Sequence, residues 1–141
     1  MKPITLCQTD YDALGSLLQA AVTQNPTAIE RQPWSLLDRE LKRATVVPDA
    51  ELPPDIVRMN SEVVFQDGRS GEQETMRLVF PGEEDWTLGN VSVLAPVGLA
   101  ILGYRAGDTI VWDVPAGRAR LRILQVCEAG KRGQDANSAS T

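Results

Sequence analysis

The stretch TVVPDAELPPD, running from Thr45 to Asp55, divides the chain into two parts with different periods. Its three prolines and three acids make it a poor helix. Proline has no N–H to donate and clashes with the preceding turn, and the same missing donor makes a poor central strand. Before this stretch, apolar residues recur at intervals of three and four; after it, they alternate at two. A chain with that order is α+β, with helices first and a sheet after them. The expected organisation is a helical unit over residues 1–47, a linker over 48–57, a sheet domain over 58–129 and a disordered polar tail over 130–141.

In the first unit, TDYDALGSLLQAAV places Tyr11, Leu14, Leu18 and Ala21 on one helical face. Thr9 is the expected N-cap, with Asp12 three residues on, and the helix should stop before Asn25-Pro26. A second helix is expected to open near Ser35. Trp34, Leu37, Leu41 and Ala44 follow a 3-4-3 spacing, a seam of heptad type. Together they predict a short antiparallel helical hairpin, with Glu30 and Arg31 in the loop at its tip.

The second part reads as strands. SEVVFQDG and ETMRLVFPG pair as a hairpin, and NVSVLA is a third strand. Pro96 sits at the first position of a short helix, where its missing N–H costs nothing, and Gly103 stands near the end of that helix. TIVWDV and ARLRILQVCE follow, joined by a tight turn at PAGR. Arg118, Arg120 and Arg122 recur at spacing two and so share one strand face, expected to be solvated. The expected product is a strongly twisted antiparallel sheet with one short helix. Trp112, in an alternating strand, is expected in its core. Glu83-Glu84-Asp85 is expected to be a charged surface loop.

Composition narrows the chemistry. The 141 residues include no histidine and two cysteines, Cys7 and Cys127, and carry a formal net charge of −5. Without histidine there is no Ser-His-Asp triad, no Cys-His pair and no histidine-bearing zinc site; two cysteines do not make a four-thiolate site. No cofactor or metal is expected. The acidic balance disfavours a generic nucleic-acid surface. MKPITLCQTD lacks the apolar run of a secretory signal, and no stretch is apolar enough to span a bilayer. The expectation is a cytoplasmic monomer with two reduced thiols.

The order of elements and the wording of one stretch resemble a known family. SVLAPVGLAILGYRAGDTIVWDVPAG is similar to the C-terminal domain of the Gre transcript-cleavage factors. The shared features are a serine-bearing strand, a small residue followed by proline, a helical turn, Gly-Asp, a strand and Pro-x-Gly. VRMNSEV, LAPVG, LG and GD resemble more closely the phrases of the Rnk proteins, named as regulators of nucleoside diphosphate kinase. Rnk proteins also begin with a short helical hairpin.

The resemblance implies an FKBP-like fold for the sheet domain and binding to bacterial RNA polymerase. In the Gre proteins this domain sits on the rim of the secondary channel, through the serine and the small-Pro step. Carried over, the rim contacts are Ser92, Ala95, Pro96 and Val97, with Leu94 standing where Gre factors often have a polar or acidic residue. Gre tips carry two acids that help hold magnesium. The loop VTQNPTAIERQPW has one, Glu30, followed at once by Arg31. A carboxylate pair is the usual minimum for such an ion. A helix of about twelve residues also rises only roughly 18 Å. The expectation is therefore a polymerase-binding regulator that competes with Gre-type factors and does not cleave RNA. DNA contact would be at most indirect, through polymerase, and any effect on nucleoside diphosphate kinase indirect too. The alternatives are an FKBP-like prolyl isomerase, which would need a concave pocket lined by Trp and Tyr, and a module that dimerises through the Trp34–Leu37–Leu41 seam.

Overall fold

The computed structural model describes residues 4–114 and 117–127; of these, nothing is drawn from the side chains of residues 29, 30, 32, 86 and 112–114. The tail 130–141 lies outside the described residues. The chain opens with strand β1 (Thr5–Cys7), helix α1 (Gln8–Gln24), a 3-10 turn (Pro26–Glu30), helix α2 (Gln32–Arg43) and strand β2 (Thr45–Val47). A short 3-10 turn (Asp49–Glu51) leads to β3 (Glu62–Asp67) and β4 (Gln73–Val79). Then come β5 (Asn90–Ser92), helix α3 (Pro96–Ile101), β6 (Thr109–Val114) and β7 (Gly117–Cys127). The architecture is α+β, as the change of period predicts.

Strands β3 to β7 form one sheet in the order β5-β4-β3-β7-β6. It is antiparallel except at one edge, where β5 runs parallel to β4, with Leu78 opposite Val91. The expectation of a wholly antiparallel sheet is corrected there. Residues 80–89 carry the chain back alongside β4 before β5 begins. Gly82 and Gly89 take the positive φ values of 97° and 73° that this return requires. An irregularity between Val64 and Phe65 in the β3–β7 ladder shifts the register by one residue of β7.

The N-terminal part departs from the expectation in three places. The N-cap of α1 is Cys7, not Thr9. Thr9 instead donates its N–H to Asp49 Oδ1 (2.9 Å) and its hydroxyl to Asp49 Oδ2. Helix α2 starts at Gln32, ahead of Ser35, because Pro33 suits the first turn. The stretch Thr45–Asp55, expected to make a poor strand, begins with β2, which pairs in parallel with β1, Leu6 opposite Val46. Two β-branched valines before Pro48 suffice for a short strand with one partner.

Among the described residues the core is a single cluster. Val63, Leu78, Leu121 and Ile123 from the sheet meet Leu99, Ile101 and Leu102 from the α3 region and Leu6, Leu14, Leu37 and Leu41 from the helical region. Leu37 is fully buried and Leu41 nearly so. With Trp34 and Ala44 half-buried against the same cluster, Leu37 and Leu41 of the seam predicted for α2 are therefore packed inside this chain. Burying each such side chain stabilises the fold by about 1.5–3 kcal/mol.

The words VRMNS form the joint between the helical part and the sheet. The Val57 N–H donates to the Tyr104 carbonyl (2.7 Å), and the Gly103 N–H donates back to Val57 (3.0 Å). The Met59 N–H donates to the buried Asp10 carboxylate (2.8 Å), with the Arg58 guanidinium 3.9 Å from the same group. Asn60 has φ of 68°, and Ser61 Oγ accepts from the Arg58 N–H (3.0 Å). Gly103 has φ of +83°, and a Cβ there would lie 2.6 Å from Ile4 Cβ. Only glycine lets the chain before β1 lie so close.

Candidate functional site at the β5–α3 junction

The site expected from the resemblance falls on the turn between β5 and α3. Ser92 ends β5, and its Oγ accepts the Leu94 N–H (3.0 Å) while its carbonyl accepts the Ala95 N–H (3.0 Å). These two bonds turn the chain out of the sheet. Val93 is buried and anchors the turn. Ala95 is the N-cap of α3 with Pro96 next, and the Ala95 carbonyl accepts the Leu99 N–H (3.0 Å). Gly98 sets how closely the helix lies on the strand: a Cβ there would stand 2.3 Å from the Ser92 carbonyl oxygen. The glycines and proline of the stretch thus have a framing role.

The frame also borders a groove. Ser92, Leu94, Ala95, Pro96 and Val97 all line one open concavity of about 1310 Å³. Its apolar lining includes Phe65, Met76, Val91 and Leu121 from the strands; Arg69, Glu74, Glu84, Arg118 and Arg120 also line it. Pro96 is exposed, while Ser92, Leu94, Ala95 and Val97 are half-buried. The junction residues were legible from the sequence. The strand residues of the lining were legible only as alternating strand positions, and nothing in a period of two tells a core position from a groove position. Chemically the groove has a lining of apolar side chains and charges of both signs, an arrangement suited to binding a protein segment.

The prolyl isomerase alternative needs a pocket lined by Trp and Tyr. Among the described lining residues, Phe65 is the only aromatic, and neither tyrosine is among them. Tyr104 instead accepts a hydrogen bond from Arg43, which also pairs with Glu40 at 2.7 Å. The side chains of Trp86 and Trp112 lie outside what the structure describes.

The connection between α1 and α2 offers less. Arg31 is exposed, and its N–H donates to the Ala28 carbonyl (2.9 Å); the Glu30 side chain lies outside what the structure describes. Asn25 Oδ1 organises the turn by accepting from the Thr27 N–H (3.3 Å) and hydroxyl (2.8 Å). The acids of residues 83–85 are exposed. Glu84 accepts the Gly82 N–H (2.5 Å) and Asp85 accepts from Thr87, so the loop binds itself.

Burial pushes the Asp10 carboxyl above the usual carboxylate range, against the lowering influence of the Met59 N–H and Arg58. Burial likewise pushes the Cys7 thiol up. Asp49, exposed, is held below the usual range by the Thr9 hydroxyl and N–H. Both cysteines are free. Among the described residues no helix is long and apolar enough to cross a membrane.

A sheet capped by a short proline-initiated helix, with a serine turn between them, defines a class. Residues 52–128 match the family model described as the C-terminal part of transcription elongation factor GreA/GreB, and the chain belongs to that family. The "Regulator of nucleoside diphosphate kinase" of Escherichia coli K12 is 42% identical over 91 residues, which are 64% of this chain and 67% of that protein. Transcription elongation factor GreA of Nitratidesulfovibrio vulgaris (strain Miyazaki F) is 36% identical over 98 residues, 70% of this chain but 61% of that factor. Among solved structures, the "prokaryotic transcription elongation factor GreA/GreB" from Nitrosomonas europaea superposes with a TM-score of 0.72 at 36% identity. That match covers 91% of this chain and 100% of the other. The relatives are thus named as factors and regulators of transcription or of a kinase.

Proposed function

We propose that this chain is a non-enzymatic transcription regulator that docks on bacterial RNA polymerase at the rim of the secondary channel. There it competes with Gre-type factors without cleaving RNA. The observation that carries the reading is the convergence of Ser92, Leu94, Ala95, Pro96 and Val97 on one groove in a chain of the GreA/GreB family. A lining of apolar and charged side chains is what a transient protein interface presents.

The lack of cleavage rests on the tip. Glu30 is its one acid and Arg31 follows it. Helix α2 has 12 residues, a rise of roughly 18 Å, which leaves the tip close to the domain. The FKBP-like character of the sheet, the antiparallel packing of α1 and α2 as a short coiled coil, and the division at 48–57 belong to the same proposal. So do a cytoplasmic location, a monomeric state, DNA contact only through polymerase, and an influence on nucleoside diphosphate kinase exerted through gene expression.

The test is a pull-down of purified bacterial RNA polymerase core with the wild type and Pro96→Asp, with folding checked by circular dichroism. Pro96 is exposed at the start of α3, so the variant should fold. Wild-type capture lost in the folded variant is the expected result. Failure of the wild type to bind would remove the functional reading and leave the family and fold. Transcript cleavage by a stalled polymerase on adding the wild type would overturn the non-cleaving role.

A further inference from the structure

We infer that the outer edge of β6 takes an added strand: an extended acidic segment of a partner protein with carboxylates at alternate positions. The inference is independent of the polymerase reading in its strand and its main cation: β6 and Arg122 do not line the groove, although Arg118 and Arg120 border both.

The two edges of the sheet differ. Edge strand β5 is three residues long, and its outer side is closed by a bridge in which Asp85 and Asn90 exchange both backbone hydrogen bonds at 3.0 Å. Edge strand β6 is six residues long and pairs with β7 alone. Among the described residues, no backbone group outside β7 bonds to it. The Ile123 N–H donates to the Asp108 carbonyl (2.9 Å). Counting on by twos from that bond turns the N–H and C=O of Thr109, Val111 and Asp113 outward. Natural sheets blunt such edges with charged residues, proline or a bulge; Thr109–Val114 has no proline and no bulge, and its sequence holds one charged residue, Asp113. Val111 is 44% exposed, one of two large apolar side chains left so open among the described residues.

Charge selects the occupant. On the face that Val111 shares, the next strand carries Arg120 opposite Val111 and Arg122 opposite Thr109. Both arginines are exposed. Arg120 rests its stem near Gly68, where a Cβ would be 3.0 Å from Arg120 Cγ. Arg122 lies between Thr109 and Gln66, neither of them charged, and is the main cation. Among the described side chains, the other charges on this face are Arg118 and the cross-strand pair Arg77–Glu62 at 2.9 Å. Strands are spaced roughly 4.8 Å apart, so a side chain on an added strand lies about 10 Å from β7. An arginine and a glutamate reaching toward each other span that distance. Carboxylates at alternate positions therefore fit beside Thr109 and Val111. In strand addition the backbone supplies affinity and alternate side chains supply specificity.

The probe is a short fluorescent peptide in which Glu alternates with Thr, and its control has Gln in place of Glu. Binding is read by anisotropy and located by hydrogen exchange on the full chain. The expected result is binding of the Glu peptide with new protection at the amides of Thr109, Val111 and Asp113. Arg122→Glu should weaken it roughly tenfold, the usual size for losing a close charge pair. Val111→Pro should abolish it while leaving the fold intact, since an edge strand tolerates proline where the N–H faces outward. If that variant does not fold, Arg122→Glu remains decisive. Equal binding of the Gln peptide, no binding of the Glu peptide, or protection in the β5–α3 groove instead would overturn the inference. So would protection of these amides in concentrated protein alone with dimers in light scattering, which would assign the edge to a second copy.

Discussion

The two ends of the helical region are built differently. At its base, bonds span the chain. Thr9 reaches Asp49, Asp10 reaches Met59, the Thr5 N–H donates to the Gly103 carbonyl (3.3 Å) and the Thr45 N–H to the Ile4 carbonyl (3.0 Å). At its tip every described hydrogen bond closes within a few residues, from Asn25 to Thr27 and from Arg31 to Ala28. The base holds the helices to the sheet, and the tip holds only itself. The lesson is that this chain invests its long-range bonds in orienting the helices against the sheet, near residues 57–61 and 103.

The strongest way to break the contrast is Gly103→Ala. It places a Cβ 2.6 Å from Ile4 Cβ at a φ of +83°. Left-handed strain and overpacking each cost about 1–3 kcal/mol, so a loss of about 3 kcal/mol is expected by urea denaturation. A loss under about 1 kcal/mol would mean that the β1 side yields easily and that the base is not rigid.

Next in size is Asp10→Ala. It leaves the Met59 N–H without its partner in a buried site and should cost about 1–3 kcal/mol. Asp10→Asn, which can still accept that hydrogen bond, should recover part of the loss. If both variants unfold alike, charge rather than the hydrogen bond holds the joint.

The pH dependence sharpens the contrast within the base itself. Asp10 has a raised folded pKa, so the folded state binds its proton more readily than the unfolded state. Its contribution is therefore largest below the ordinary carboxylate range and falls as pH rises through the raised value. Asp49 has a lowered folded pKa, so its contribution is present above the ordinary range and is lost as pH falls through the lowered value. Subtracting the stability of Asp10→Asn from that of the wild type across pH should give a curve that declines with rising pH. A rising curve would contradict the burial of Asp10.

The smallest effect belongs to the tip. Arg31→Ala should change stability by less than about 0.5 kcal/mol, because Arg31 is exposed and its described bond is made by the backbone. A larger thermal shift would show that the tip is coupled to the sheet after all.

Much of the fold was legible because periodicity reports burial directly. Leu14, Leu37 and Leu41 repeat at helical spacing and are buried; Val63, Leu121 and Ile123 alternate and are buried. The β5–α3 turn was legible because Pro96 is tolerated at only a few kinds of position. The β1–β2 pair was not, because three-residue strands carry too few side chains to show a period, and their partner lies 40 residues away. Nor was the cap of α1, since Thr9 fits the local rule and a distant carboxylate, Asp49, outcompetes it.

By itself the sequence determined the order and kind of the elements, the break at Thr45–Asp55, the absence of histidine chemistry and the words that mark the family. Each of these depends on residues near one another in the chain. The tertiary structure alone decided that the two parts share one core and that β5 runs parallel to β4. It alone brought Phe65, Met76 and Val91 into a groove with Pro96, and left β6 as the open edge. Those outcomes depend on which distant surfaces meet, and local spacing carries no record of that.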